Sequence, residues 1–251
     1  MSLNLQSSIF IFAMQRFFVS AIENDRVVFS AEQAHQIRQV LRLGVGERVT
    51  ALLDGAGWEA EAELVQVEKK GVTAVVRHKR PVTTEPAVRL TLYQSLLKRD
   101  NFEWVLQKGT EIGVSRFAPL ISERTVAHPP NKMERWQRIV VEAAEQSGRG
   151  CIPQILPPAR LTDVLAHWQS DRLGLMPALS TDGVTIGSVW EKMPTSTGSV
   201  GVFIGPEGGW TEDEVENGRS AGLIPVTLGK RILRAETAAI VAAALVMQAV
   251  E

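Results

Sequence analysis

The sequence predicts an α/β protein in two parts: a small, mostly β domain, then a larger domain built on a parallel sheet. Three observations carry this. From Arg16 to about Arg80, short apolar segments are separated by turn residues, with period-two alternation clearest in WEAEAELVQV. PVTTEPAV, Pro81 to Val88, then mixes two prolines with small polar residues and reads as a linker. Beyond it, strand-like apolar runs alternate with segments of helical periodicity, the rhythm of a parallel sheet covered by helices on both faces. The expected division is an extension at residues 1–13, expected to be disordered, a β domain at 14–82 and an α/β domain at 83–251.

In the β part, FFVS, RVVFS, ERVTALL, WEAEAELVQVE and GVTAVVRHK read as strands, with a hairpin-type turn at DGAG, Asp54 to Gly57. One helix is expected, AEQAHQIRQVLRL, with Ser30 as its N-cap and Gln33 completing a capping box. The sum suggests a small barrel. In the α/β part, the strand VRLTLYQSLL precedes the helix DNFEWVLQKGTEIG, whose Phe102, Val105, Leu106 and Ile112 share a face and whose end is marked by Gly113. The strand SRFAPLIS and the amphipathic helix NKMERWQRIVVEAAEQSGR follow, then IPQIL, the helix LTDVLAHW, and the strands RLGLMPAL and SVGVFIG. The closing AETAAIVAAALVMQAV carries Glu236 and falls short of the ~18–20 apolar residues that span a bilayer. It reads as a helix buried in a core or in a dimer interface.

Composition narrows the function classes. Of 251 residues, 45% are hydrophobic and 22% charged, the balance of an ordinary soluble globular protein. A net charge of −1 gives no global attraction to nucleic acid or to an anionic membrane, so any RNA contact must come from local basic patches. Cys151 is the single cysteine, which excludes a disulfide framework and a cysteine-rich zinc site. His35, His78, His128 and His167 are scattered, and no metal constellation is visible. These features favour a reducing, cytoplasmic setting. The opening MSLNLQSSIFIFA lacks the basic n-region of a secretory signal, and Met14 begins the more plausible domain start.

The chemistry concentrates at IGPEGGW, Ile204 to Trp210. Thr211 and Glu214 form a capping box after it, so a strand leads through a glycine-rich turn into a helix N-terminus. Many proteins hold phosphates this way. Here, however, the lysine and hydroxyl residue of a P-loop are missing, and Glu207, Glu212, Asp213 and Glu214 would repel an anion. The helix dipole alone also favours acidic residues in a first turn, so the stretch by itself reads equally as a plain turn. A second segment, TLGKRILRAETAA, repeats the pattern around Gly229, and the two turns are expected to lie side by side at the sheet edge. Glycines let backbone approach a flat ligand closely, and a carboxylate suits ribose hydroxyls or a cation. A ligand with a purine, a ribose and a positive centre but no phosphate is S-adenosylmethionine. Other nucleotide signals fail: LLDGAGW has the wrong spacing for a Rossmann-type methyltransferase turn, and no G-x-G-x-x-G occurs.

IGPEGGWTEDEV and LGKRILRAETAA closely resemble the two C-terminal motifs of the bacterial 16S rRNA uridine-N3 methyltransferases, the RsmE family of the SPOUT class. KGTEIGVSRFAPLISERTV, RWQRIVVEAAEQSGR and AHQIRQVLRLGVGERV resemble further parts of that family, so the resemblance runs from Met14 to Glu251. It implies a PUA-like β-barrel followed by a SPOUT-type α/β methyltransferase domain with a trefoil knot, acting as a homodimer. It also implies S-adenosylmethionine as cofactor, held by Ile204, Gly205, Pro206, Glu207, Gly208, Leu228, Gly229, Ile232 and Leu233. The implied substrate is 16S rRNA within the small ribosomal subunit, with no metal and no membrane involved.

Methylating N3 of a uridine requires an exposed base and stabilisation of the negative charge that develops on the uracil. Arg234, in the ILRAET turn, is the first candidate for that task, against the alternative of an ion pair with Glu236. Gln146 and Arg149 are catalytic candidates because, with Glu142, they recur at helical spacing; a solvated face pairing Arg138 with Glu142 is the alternative. Glu207 suits cofactor binding better than general-base duty. Arg16, Arg38, Arg42 and Arg124 are candidates for neutralising RNA phosphates. Rival readings are an RNA-binding protein that has lost its chemistry and a related methyltransferase acting on tRNA.

Overall fold

The computed structural model describes residues 14–127, 132–168, 173–179, 184–192 and 198–250; the extension expected at 1–13 lies outside the described residues. Contacts divide the chain into two units. One holds the residues up to Thr84 together with Gly148–Cys151, the other Glu85–Ser147 and Ile152–Glu251.

The first unit is a six-stranded sheet of β1 (Arg16–Phe18), β2 (Ile22–Glu23), β3 (Arg26–Val28), β4 (Arg48–Leu52), β5 (Trp58–Glu68) and β6 (Gly71–Pro81). The strand order is β1-β4-β5-β6-β3-β2, antiparallel except for β1 against β4. The β5–β6 register shifts between Glu61 and Ala62 and again between Leu64 and Gln66. Such bulges bend strands, and the sheet gathers Phe17, Val27, Val49, Leu64 and Val72 into one core. The helix of this unit is shorter than its apolar pattern predicts. α1 (Ala31–His35) starts at the Ser30–Gln33 capping box, widens into a π-helical turn over Gln36–Val40, and gives way to Arg42 at φ 57°. A regular helix continued through Leu43 would turn that side chain away from the Ala34–Ile37–Leu41 stripe. Leaving the helix early lets Leu41 and Leu43 both pack on the core.

The second unit is an all-parallel sheet of β7 (Arg89–Ser95), β8 (Arg116–Ile121), β9 (Gln154–Ile155), β10 (Ala159–Arg160), β11 (Leu173–Pro177), β12 (Ser199–Ile204) and β13 (Ile224–Val226). The order is β10-β8-β7-β12-β11-β13, with β9 beside β8. Its helices are α2 (Asn101–Ile112), α3 (Met133–Ser147), α4 (Leu161–Ala166), α5 (Ile186–Trp190), α6 (Glu212–Ser220) and α7 (Ala235–Val250). On one face Leu90, Leu92, Val202 and Ile204 pack with Leu106 of α2, Trp136 of α3 and Ala239, Ala242 and Val246 of α7. On the other, Leu120, Met176 and Phe203 pack with Leu161 of α4 and Leu223, and Tyr93 stacks on Phe203 with ring centroids 4.3 Å apart. The sheet covered on two faces is thus the architecture the alternating pattern predicts. Among the described residues no helix is long and apolar enough to cross a membrane.

Two expectations need correction. The turns after β12 and β13 do not lie side by side, because β11 sits between those strands. β12 already has β7 on one side and β11 on the other, so the chain leaving α6 pairs with the free edge of β11 instead. One intervening strand separates β12 from β13 by roughly 10 Å. Nor do Gln146 and Arg149 share a helical face. α3 ends at Ser147, and Gly148 at φ 78° takes the chain out of the helix before Arg149.

Candidate active site

Because every strand of the second unit runs the same way, the loops after β7, β8, β12 and β13 gather at one edge of the sheet, where such sheets bind ligands. Side chains stitch three of these loops together. Glu207 Oε1 accepts a hydrogen bond from the Lys98 amide at 2.9 Å, joining the β12 turn to the β7 loop. Arg124 Nη1 donates to the carbonyls of Gly208 at 2.9 Å and Trp210 at 3.3 Å, joining the same turn to the β8 loop. Glu214 is buried and accepts from the amides of Glu123 at 2.8 Å and Thr211 at 2.9 Å. The Ser122 hydroxyl meets those of Ser95 at 3.2 Å and Thr125 at 2.8 Å. The IGPEGGW turn is therefore braced from two sides. At Gly208 a Cβ would lie 3.2 Å from Arg124 Cβ, so the glycine admits the arginine stem.

The second turn is shaped by Thr227, whose hydroxyl accepts from the Gly229 amide at 3.1 Å, with Gly229 at φ 111°. Leu228 packs on the core, Leu233 is half-buried, and Ile232 stands 82% exposed. Arg234 precedes α7, its carbonyl accepting from the Ala238 amide at 2.8 Å. Its side chain is exposed and has no hydrogen-bond or ion-pair partner among the described residues, so the alternative pairing with Glu236 is not formed. Arg234 and Glu236 open, with Asn101, Trp104 and Gln107 of α2, onto a groove of about 780 Å³.

Beside the start of the first turn lies a residue that the sequence reading passed over. Gln94, next to last in β7, is fully buried and pairs in register with Ile204 of β12 and Pro119 of β8. Its Nε2 donates to the Ser95 carbonyl at 2.9 Å, while Oε1 is buried without a partner. A buried acceptor left unpaired costs about 1–3 kcal/mol. The signal was present in RLTLYQSLL: the amide stands two residues beyond Leu92 and four beyond Leu90, on the face those leucines turn to the core.

The remaining sequence candidates fall elsewhere. Gln146 is exposed near the end of α3. Arg149 is buried and belongs to the first unit, where its carbonyl accepts from Arg16 Nη2 at 3.4 Å. Arg16 also pairs with Glu59 at 2.6 Å, and Arg80 meets the other oxygen of that carboxylate at 2.5 Å. Burial of Glu59 alone would raise its pKa, but the hydrogen bonds and charges of Arg16 and Arg80 outweigh this and hold it below the ordinary carboxylate value. Arg16 is thus committed to a buried ion pair, whereas Arg42 is exposed and Arg38 half-buried at the irregular end of the first-unit helix. Among the described residues no group of three or more His, Cys, Asp or Glu is placed to hold a metal ion.

These features can be set beside known proteins. Residues 84–247 match the family model of the RNA methyltransferase domain, and residues 29–77 that of the RNA methyltransferase PUA domain. The chain is 36% identical over 220 residues to a ribosomal RNA small subunit methyltransferase E of Synechocystis sp., covering 87% of this chain and 71% of the relative. It is 32% identical over 246 residues to the one of Bacillus subtilis, covering 90% and 93%. A crystal structure of a ribosomal RNA small subunit methyltransferase E from Neisseria gonorrhoeae, bound to S-adenosyl methionine, superposes with a TM-score of 0.85 at 33% identity, covering 94% of this chain and 97% of that one. A methyltransferase from Legionella pneumophila in complex with the same cofactor gives a TM-score of 0.84 at 31% identity, again over 94% and 97%. Two domain matches that together span most of the chain, and relatives aligned over 71% and 93% of their length, agree with the site built above: the chain belongs to the RNA methyltransferase family, alongside the ribosomal RNA small subunit methyltransferases E.

Proposed function

We propose that this protein transfers a methyl group from S-adenosylmethionine to N3 of a uridine in 16S rRNA of the small ribosomal subunit. The observation that carries the reading is the pair of glycine turns at one sheet edge, one braced by Arg124 and Glu207, the other leading directly into Arg234, which has no partner among the described residues. The residues present fit the cofactor. The first turn has carboxylates and no lysine, which suits a ligand with hydroxyl and amine donors and no phosphate. The acceptor of Gln94 beside the first turn, unpaired among the described residues, calls for such a donor. When bound, S-adenosylmethionine supplies the electrophilic methyl group.

The chain's own residues do the rest. Ile204, Gly205, Pro206, Gly208, Leu228, Gly229, Ile232 and Leu233 line the cofactor, with Glu207 holding the first turn in place. Arg234 faces the uracil, where its guanidinium stabilises the charge that develops as N3 loses its proton and gains the methyl group. The groove beside it, with the exposed Trp104 ring and the amides of Asn101 and Gln107, has stacking and hydrogen-bonding groups suited to an unpaired base. Arg38 and Arg42 of the first unit meet RNA phosphates. The protein acts as a homodimer in the cytoplasm, with the trefoil knot that the family resemblance implies; the exposed Leu245 on the alanine-rich α7 supports a partner on that helix.

The test is nucleoside mass spectrometry of small-subunit particles, taken from cells lacking the endogenous enzyme and incubated with the protein and S-adenosylmethionine. New 3-methyluridine is the expected product. Cofactor binding without any methylated nucleoside would remove the substrate assignment and turn the search to tRNA.

A further inference from the structure

We infer that Gln94 is a cofactor-positioning residue whose amide oxygen accepts a hydrogen bond from a hydroxyl or amine of bound S-adenosylmethionine. The inference rests on the cofactor reading above and deepens it. The orientation of the amide is set by its neighbour: the Ser95 carbonyl only accepts, so the end of Gln94 that meets it at 2.9 Å is the nitrogen. The oxygen is therefore the orphan, and it is fully enclosed. Buried polar groups in folded proteins are almost always paired, so an exception asks for a ligand.

The position of the residue says which ligand. Period-two alternation puts Gln94 on the sheet face of Leu90 and Leu92, the face whose core also holds Ile204. Ile204 opens the first turn. Ser95, one residue on, joins Ser122 in the tie that secures the β8 loop. Gln94 thus stands at the carboxyl end of β7, directly beside Ile204 of β12, the residue from which the first turn starts. An apolar side chain of the same length would suit these surroundings better in the free protein. Ribose hydroxyls, the adenine amine and the ammonium group can all donate to an amide oxygen, whereas a phosphate cannot.

Calorimetric titration of the whole protein with S-adenosylmethionine, and thermal unfolding without it, test this on wild type and Gln94→Met. The free Gln94→Met protein loses an unpaired acceptor and the Nε2 bond to Ser95 together, so its melting temperature should stay within a few degrees of wild type while its affinity for the cofactor falls at least tenfold. Wild-type affinity in Gln94→Met would overturn the inference. A second measurement does not depend on the variant folding: wild type is titrated with adenosine derivatives lacking the 2′-hydroxyl, the 3′-hydroxyl or the free N6 amine, and with a cofactor analogue lacking the ammonium group. One of them should lose about tenfold in affinity relative to its parent; no loss in any would overturn the inference. A wild-type protein that binds no S-adenosylmethionine overturns the functional reading itself, and this inference with it.

Discussion

Arg124 donates through Nη1 to the carbonyl oxygen of Gly208 at 2.9 Å, and that bond ties the loop after β8 to the glycine turn after β12. The same nitrogen reaches Trp210 O at 3.3 Å, and the arginine stem fills the space that a side chain at 208 would need. An exposed arginine in SERTV reads as an RNA contact, but its partners here are backbone carbonyls of the glycine turn proposed to hold the cofactor. Arg124→Ala should therefore loosen that turn and weaken S-adenosylmethionine binding about fivefold, an energy of about 1 kcal/mol for a partly solvated, charge-assisted bond. Titration calorimetry decides it. Unchanged cofactor affinity with weakened RNA binding would return Arg124 to the RNA-contact role.

Arg234 separates chemistry from binding. It is exposed, and its guanidinium has no partner among the described residues, so removing it should shift stability by no more than about 0.5 kcal/mol. Loss of one group aimed at developing charge costs about 10²–10³ in rate. Arg234→Ala should thus bind S-adenosylmethionine normally, melt normally and lose most methyl transfer in single-turnover assays. Undiminished transfer would end its assignment.

What the sequence made legible here is local. Strand and helix alternation depends on side chains two to four residues apart, and it located the long elements of the second unit, while the capping boxes at Ser30 and Thr211 marked the starts of α1 and α6. The order of strands is not local. Whether β13 pairs with β12 or β11 depends on which edge is free once the sheet is assembled, and no residue in TLGKRIL records it. The partners of Arg124 and Arg16 are hidden for the same reason: a guanidinium looks alike whether it faces RNA, a carbonyl in a turn or the buried Glu59. Gln94 could have been found, since a lone amide on the core face of an apolar strand conflicts with its surroundings, and such conflicts mark functional positions.

Arg42 shows a related conflict in the backbone. It sits in the left-handed region at φ 57°, directly after the π-helical turn, in a conformation that glycine adopts without cost. Keeping a long cation there costs roughly 1 kcal/mol, consistent with a side chain needed for RNA. Arg42→Gly should raise stability, moving Tm up by about 2–4 °C, while lowering affinity for small-subunit RNA and flattening its salt dependence. Arg42→Ala should lower RNA affinity equally without the gain in Tm. Wild-type RNA affinity in both variants would show that the arginine is kept for another reason.

Glu59 gives the first unit a pH dependence whose sign follows from its partners. Its pKa lies below the ordinary value of 4.5 because Arg16 and Arg80 more than offset the effect of burial. A carboxylate with a depressed folded-state pKa stabilises the fold above its unfolded pKa and loses that contribution as pH falls through the folded value. The wild type should therefore keep this stabilisation at neutral pH and lose it below 4.5. Glu59→Gln leaves Arg16 with an uncompensated charge, its side chain only 13% exposed, which should cost about 2–4 kcal/mol at neutral pH. Hydrogen exchange of β5 and β6 amides in the whole protein reads the effect locally. The protection gap between wild type and Glu59→Gln should narrow steadily as pH drops toward about 3. A gap that stays constant across that range would mean that Arg16 and Glu59 act through packing and not through charge.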